Sequence, residues 1–320
     1  MEILEGKNRR RQLITIIIPC YNESEGLPVF MQEMTSIMKR MQDQDFEIIF
    51  INDGSSDDTL SVIKNLSEQD NRVKYISFSR NFGKEAAIYA GLRNVHGDLA
   101  VVMDADLQDP PGLLPQMYQA VEKEGYDSAA ARRIDRKGEP PVRSFFARLF
   151  YKIINKMSDV EIVDGARDFR MMNRKYVDAL LQLKEYNRFS KGLFGWVGFK
   201  NKWIGYENIE RTAGKTSWSF WGLFKYSVEG IAAFSTAPLI LSSAMGVVLC
   251  LFSVFAILFI IIRKILFGDP VDGWASMVCI MTFLGGIQLF CIGVLGLYFS
   301  KMYLEIKNRP VYLIDECKLE

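Results

Sequence analysis

Over the first two hundred residues the apolar positions fall into two alternating rhythms. "LITIIIP" (13–19), "FEIIFIN" (46–52), "VKYISFS" (73–79) and "DLAVVMD" (98–104) are short runs rich in β-branched and aromatic residues, as expected of strands buried on both faces. Amphipathic stretches of roughly 12 to 18 residues with helical spacing lie between them. This alternation predicts βαβ units and an α/β domain built on a mainly parallel, doubly wound sheet. In such sheets ligands bind beyond the carboxyl ends of the strands, so the polar stretch after each strand is where chemistry is expected.

The rhythm then changes. No residue is charged from Gly230 to Ile262 or from Gly273 to Ser300. Each run exceeds the ~20 helical residues that cross a ~30 Å apolar bilayer core, which predicts two transmembrane helices over about 232–262 and 273–300. Two buried helices of a soluble protein are the weaker reading, because such helices keep a polar face and these offer only Ser, Thr and Gln288. The connection "RKILFGDPVDG" is short, so both ends of the hairpin lie on one side of the membrane. Arg211, Lys215 and Lys225 precede the hairpin and Lys301, Lys307, Arg309 and Lys318 follow it, against Arg263 and Lys264 at its tip. The positive-inside rule therefore predicts a multi-pass protein of the plasma (inner) membrane with both termini cytoplasmic. Gly285, Gly286, Gly293 and Gly296 leave room for another helix, hence for a homo-oligomer.

Between the two regions, "SWSFWGLFKYSVEGI" places Phe220, Leu223, Phe224, Val228 and Ile231 at helical spacing, which predicts a segment lying in the membrane interface. The expected division is a catalytic domain over 1–210, a juxtamembrane segment over 211–230, two membrane helices over 231–300 and a cytoplasmic tail over 301–320. The first residues, "MEILEGKNRRRQ", lack the apolar stretch of a cleavable signal peptide.

Composition narrows the choice little. Lys and Arg total 39 against 38 Asp and Glu, a balance that argues against a nucleic-acid partner. Cys20, Cys250, Cys279, Cys291 and Cys317 form no CxxC pair and read as buried, reduced thiols, not as a disulfide framework or zinc site. His96 precedes its strand at the end away from the expected site and reads as a turn residue.

The strand ends carry the chemistry. "PCYNESEG", "NDGSSDDT", "SRNFGKEAA" and "DADLQDPP" follow the four strands in turn. Any one polar loop has an ordinary explanation as a turn; four on one rim point to a binding site. No G-x-G-x-x-G follows the first strand, and "AGKT" (213–216) has Ile209 where a phosphate loop needs glycine. Asp104 and Asp106 are two residues apart, so in an extended chain they point the same way and can share one cation. Their hard oxygens suit Mg²⁺ or Mn²⁺, which keeps positions open for substrate phosphates. Asp109, before Pro110 and Pro111, is expected to cap a helix.

In this order, "IPCYNES", "NDGSSDDT", "RNFGKEAAIYAGL", "DADLQDPP" and "RDFRMMNR" resemble the family 2 glycosyltransferases with the GT-A fold. Within them the chain is most similar to the polyprenyl-phosphate branch: dolichyl-phosphate mannosyltransferases and, because of the two C-terminal helices, bacterial undecaprenyl-phosphate glucosyltransferases. The resemblance implies that Pro19, Tyr21 and Glu23 wall the base and ribose, that Asp53 meets the nucleobase, and that Lys84 and Glu85 lie near the nucleotide. Asn52 stands where many members have a second Asp. It also implies that Asp104 contacts the ribose and metal region, and that Asp106 with Gln108 holds Mg²⁺ or Mn²⁺ on the diphosphate.

The implied reaction moves a hexose, glucose first, from a nucleotide-diphosphate sugar, UDP-sugar first, to undecaprenyl or another polyprenyl phosphate with inversion. Asp168 matches the family's candidate base. Because a phosphate monoester has a second pKa near ~6, the acceptor is largely ionised already, and Asp168 has reason to orient it instead. Arginine forks match phosphate oxygens, so Arg133, Arg143 and Arg211, with Ser144 and Lys215, are the expected acceptor clamp. Two rivals are a processive polysaccharide synthase, which would carry Q-x-x-R-W and more membrane helices, and a non-enzymatic membrane scaffold, which has no use for Asp53, Asp104, Asp106 and Asp168 together.

Overall fold

A computed structural model of the chain describes residues 11–134, 155, 163, 165–207, 235–267 and 273–320. The four apolar runs form strands β1 (Gln12–Cys20), β2 (Gln44–Asn52), β3 (Val73–Phe78) and β4 (Leu99–Val102). All are parallel, with β1 between β2 and β4 and with β3 beyond β2. Next to β4 the direction reverses: β6 (Ala166–Asn173) is antiparallel to β4 and to β5 (Ser128–Arg133), while β7 (Asn201–Tyr206) runs parallel to β5. At the other edge β8 (Ile314–Lys318) pairs antiparallel with β3, completing the order β7-β5-β6-β4-β1-β2-β3-β8. The sheet is therefore mixed: the expected parallel half is present, and reversals flank it on both sides.

Strand periodicity builds two cores. Ile14, Ile16 and Ile18 of β1 face one side with Phe46, Ile48 and Phe50 of β2, while Ile17, Ile49 and Ile51 face the other. The first face is covered by α1 (Gly26–Arg40), α2 (Thr59–Gln69) and α4 (Leu114–Glu122), the second by α3 (Lys84–Arg93), α5 (Arg174–Gln182) and α6 (Ser190–Trp196). In α1 the buried Leu27, Phe30, Met31, Met34, Ile37 and Met38 recur on one helical stripe, each contributing about 1.5–3 kcal/mol by leaving water. On α3, a side chain at Gly91 would bring a Cβ within 2.1 Å of Ile17, so glycine is what lets this helix sit so close to β1.

Beyond the domain stand α7 (Ala237–Phe267) and α8 (Trp274–Ile306). At 1.5 Å per residue they are about 45 and 50 Å long, more than the apolar core of a bilayer. Phe252, Phe255, Leu289 and Phe299 are exposed along them, a surface that water would not tolerate and lipid would. Among the described residues, nothing lies within 4 Å of where a Cβ would stand at Gly285, Gly286, Gly293 or Gly296.

Two expectations are corrected here. The 301–320 segment is not simply a tail: α8 runs past Ser300 to Ile306, and β8 then joins the sheet beside β3. Cys317 lies on that edge strand and is exposed, whereas Cys20 is buried as expected. The juxtamembrane segment, 211–230, lies outside the described residues, as does the tip of the hairpin between α7 and α8. His96 lies in the turn before β4, 3.4 Å from Glu47, as expected.

Candidate active site

The parallel strands deliver their loops to one rim, and hydrogen bonds stitch those loops together. Asn22, at φ +55° just after β1, donates its N–H to Ser55 (3.0 Å) and accepts from Ser56 N–H (2.9 Å). Glu23 N–H donates to Thr59 Oγ1 at 2.8 Å. The loop after β2 is tied in turn to the loop after β3. The buried Asp53 carboxylate accepts the N–H groups of Phe82 (2.6 Å) and Gly83 (2.9 Å), and burial still leaves its pKa raised. Gly54, at φ +62°, lies against Arg80, where any Cβ would fall 2.3 Å from the backbone carbon. Asn52 faces Ser77 and Ser55 instead of the cleft, donating to one at 2.9 Å and accepting from the other at 3.2 Å. Pro19 is the next-to-last residue of β1, beside this rim, and Tyr21 stands exposed on it.

On the same rim a lysine is held between two acids. Lys84, in the first turn of α3, places its ammonium 2.7 Å from Asp104 after β4 and 2.5 Å from Asp168 in β6. Desolvation works against the charged amine, but the two carboxylates outweigh it and raise the Lys84 pKa. Desolvation likewise works against the Asp168 carboxylate, yet Lys84, Lys191 and Arg167 hold its pKa well below the usual range. The pair is thus ionised on both sides. Glu85, next along α3, accepts the N–H of Ser190 at 3.0 Å and also its hydroxyl.

The aspartate loop departs from its expected shape. β4 ends at Val102 and the chain turns at Ala105 and Asp106, so Asp104 and Asp106 are not presented by a continuing strand. Leu107 takes φ +55°, a conformation that branched side chains occupy at a cost of about 1 kcal/mol or more, and Gln108 N–H folds back to Asp106 at 3.1 Å. The Gln108 amide oxygen, expected on a metal, instead accepts from Arg167 at 3.1 Å. Asp109 caps no helix: only 2% exposed, it is gripped by Arg167 at 2.9 Å and by the Tyr206 hydroxyl. Arg167 and Tyr206 had no assigned part in the sequence reading. Arg167 precedes Asp168 in "RDFR", which was the available signal; Tyr206 offered none.

The acceptor residues are only partly placed. Arg133 ends β5 on the same rim, its N–H donating to Gly165 at 2.9 Å. Arg143, Ser144, Arg211 and Lys215 lie outside the described residues. Among the described residues no group of three or more His, Cys, Asp or Glu gathers as a ready-made metal cage.

A parallel half-sheet with a cationic and carboxylate cluster at its strand ends is where a polar ligand would be held, and sequence comparison supplies the family. The profile of "Glycosyl transferase family 2" matches residues 15–181. The chain is 46% identical over 310 residues to the putative glycosyltransferase CsbB of Bacillus subtilis, covering 97% of this chain and 93% of that one. It is 39% identical over 303 residues to the SfII prophage-derived bactoprenol glucosyl transferase of Shigella flexneri, covering 95% and 97%. A solved structure of glucosyl-3-phosphoglycerate synthase from Mycobacterium tuberculosis overlaps 69% of this chain and 78% of its own at a TM-score of 0.46 and 18% identity, a likeness too slight to bear on the chemistry. The chain belongs to glycosyltransferase family 2: it is an enzyme of GT-A-like fold with two apolar helices that associate it with a membrane.

Proposed function

We propose that this glycosyltransferase moves a hexose, glucose by preference, from UDP-sugar to undecaprenyl or a related polyprenyl phosphate, with inversion, at the cytoplasmic face of the plasma membrane. The observation that carries the reading is the Lys84–Asp104–Asp168 cluster set in the same unit as an apolar helical hairpin. The relatives support the choice of sugar and acceptor, since several are named bactoprenol glucosyl transferases. Pairing of β8 with β3 supports the topology, because it puts the segments before and after the hairpin in one sheet.

Asp104 and Asp106 would offer two hard carboxylates to a divalent ion, the rest of whose shell would come from diphosphate oxygens and water. Bound there, Mg²⁺ or Mn²⁺ would offset the charge of the leaving diphosphate. The protein's own groups do the rest. An oxygen of the acceptor phosphate attacks the anomeric carbon as the bond to the diphosphate breaks. Asp168, kept anionic by Lys84, orients that acceptor. Lys84 supplies positive charge beside the donor, and Pro19, Tyr21, Glu23 and Asp53 frame the nucleoside. Arg133, with Arg143, Ser144, Arg211 and Lys215, receives the acceptor phosphate.

The test is to incubate the purified protein with undecaprenyl phosphate and, separately, UDP-glucose, UDP-N-acetylglucosamine and GDP-mannose, and to weigh the lipid product by mass spectrometry. A hexosyl-phospholipid from UDP-glucose is expected, and chelation or Asp106→Ala is expected to abolish it. A protein that glycosylates no polyprenyl phosphate overturns the acceptor, and one that transfers at full speed in chelator overturns the metal.

A further inference from the structure

α8 leaves the apolar hairpin and runs onto the catalytic domain without a linker. In its last turn the Glu305 carboxylate accepts the backbone N–H of Tyr186 (2.9 and 3.1 Å) and of Asn187 (3.2 Å). One turn earlier, Lys301 donates to the Asn187 side chain at 3.3 Å. Both contacts hold the loop between α5 and α6. That loop ends at Ser190, whose N–H and hydroxyl are bound by Glu85, and Glu85 adjoins Lys84, the amine between Asp104 and Asp168. A short series of direct contacts therefore joins the end of a membrane helix to that cluster.

Past Ile306 the chain keeps to the domain. Tyr312 stacks on Phe78 with ring centroids 4.9 Å apart, and β8 follows. Such a joint does more than tether. A carboxylate accepting two successive backbone N–H groups is satisfied at only one rotation and one height of α8, so it fixes how far the cleft stands from the apolar segment. An acceptor dissolved in water can enter a cleft at any height. An acceptor whose phosphate is confined to the headgroup plane cannot, and displacements near ~1 Å at a reacting group are enough to cost up to about a hundredfold.

We infer that Glu305 is a positioning residue that, by holding the 183–189 loop, sets the height of the Lys84–Asp104–Asp168 cluster above the bilayer for a membrane-held acceptor. This inference rests on the acceptor being a lipid phosphate, as proposed above. Its test uses the full chain in lipid nanodiscs with two acceptors, undecaprenyl phosphate in the bilayer and a short, water-soluble prenyl phosphate. Glu305→Ala is expected to lose about tenfold or more in turnover of the bilayer acceptor, a step of ~1.4 kcal/mol, while staying within about twofold on the soluble one. Glu305→Gln, which keeps an acceptor oxygen, is expected to recover most of the loss. Amide exchange at Tyr186 and Asn187 is expected to quicken in Glu305→Ala. Should that variant fail to fold, Lys301→Met removes the second contact to the same loop and is expected to move the two activities apart in the same sense. Equal loss on both acceptors, or no loss on either, overturns the inference. Wild-type protein that transfers to neither acceptor overturns the proposed acceptor instead.

Discussion

One ammonium between two carboxylates sets the character of the site. Without Lys84, the Asp104 and Asp168 carboxylates would face each other directly; with it, one ammonium holds both in place. Asp168 is thus a poor proton acceptor and a good orienting group. Asp168→Asn is expected to lower turnover by about 10²–10⁴-fold while leaving the donor KM nearly unchanged. Lys84 holds the Asp168 pKa below the usual carboxylate range against the cost of burial. The acid side of the kcat profile is then expected to follow the acceptor's own second ionisation near ~6. A carboxylate limb that disappears in Asp168→Asn would show that Asp168 takes the proton after all. That the loops carrying Lys84, Asp104 and Asp106 share one rim was legible because each follows a strand of the parallel half. The Asp109 anchor was not, since its partners Arg167 and Tyr206 lie 58 and 97 residues away and pattern reading sees only neighbours.

At the scale of elements, the strands of the parallel half declared themselves because burial on both faces demands unbroken apolar runs. The two long C-terminal helices did so because their apolar runs are unbroken over a greater length. β8 stayed hidden: "IDECK" is short and polar, and covers an edge instead of filling a core. Its hold on the domain comes from Tyr312 against Phe78, the ion pair of Lys64 with Glu316 at 2.6 Å, and the Lys318 bond to the Ser67 carbonyl at 2.8 Å. The exposed ion pair adds little, so the ring contact and the strand pairing carry most of it. Tyr312→Ala is expected to cost about 2 kcal/mol, read as a lower denaturation midpoint of the purified protein. An unchanged midpoint would mean that the strap is ornamental to stability.

For the whole molecule, the hairpin and the strap together make a closed circuit from sheet to membrane and back to sheet. Cys317 provides a direct check on its direction, being exposed on β8 while Cys20 is buried. A membrane-impermeant maleimide is expected to label Cys317 in inverted vesicles and not in intact cells. Labelling from outside the cell would reverse the topology and, with it, the supply of a cytoplasmic nucleotide sugar.

The pairing of the last strand with β3 also bears on manufacture. A ribosome releases this chain from its first residue to its last, so the sheet stays one strand short until both apolar helices have been made and seated. Until then the rim of β3 presents open backbone groups that any passing extended peptide can occupy. Chains cut short after the hairpin are accordingly expected to insert in the membrane yet expose a sticky flank, and to be cleared by quality control before they meet a sugar.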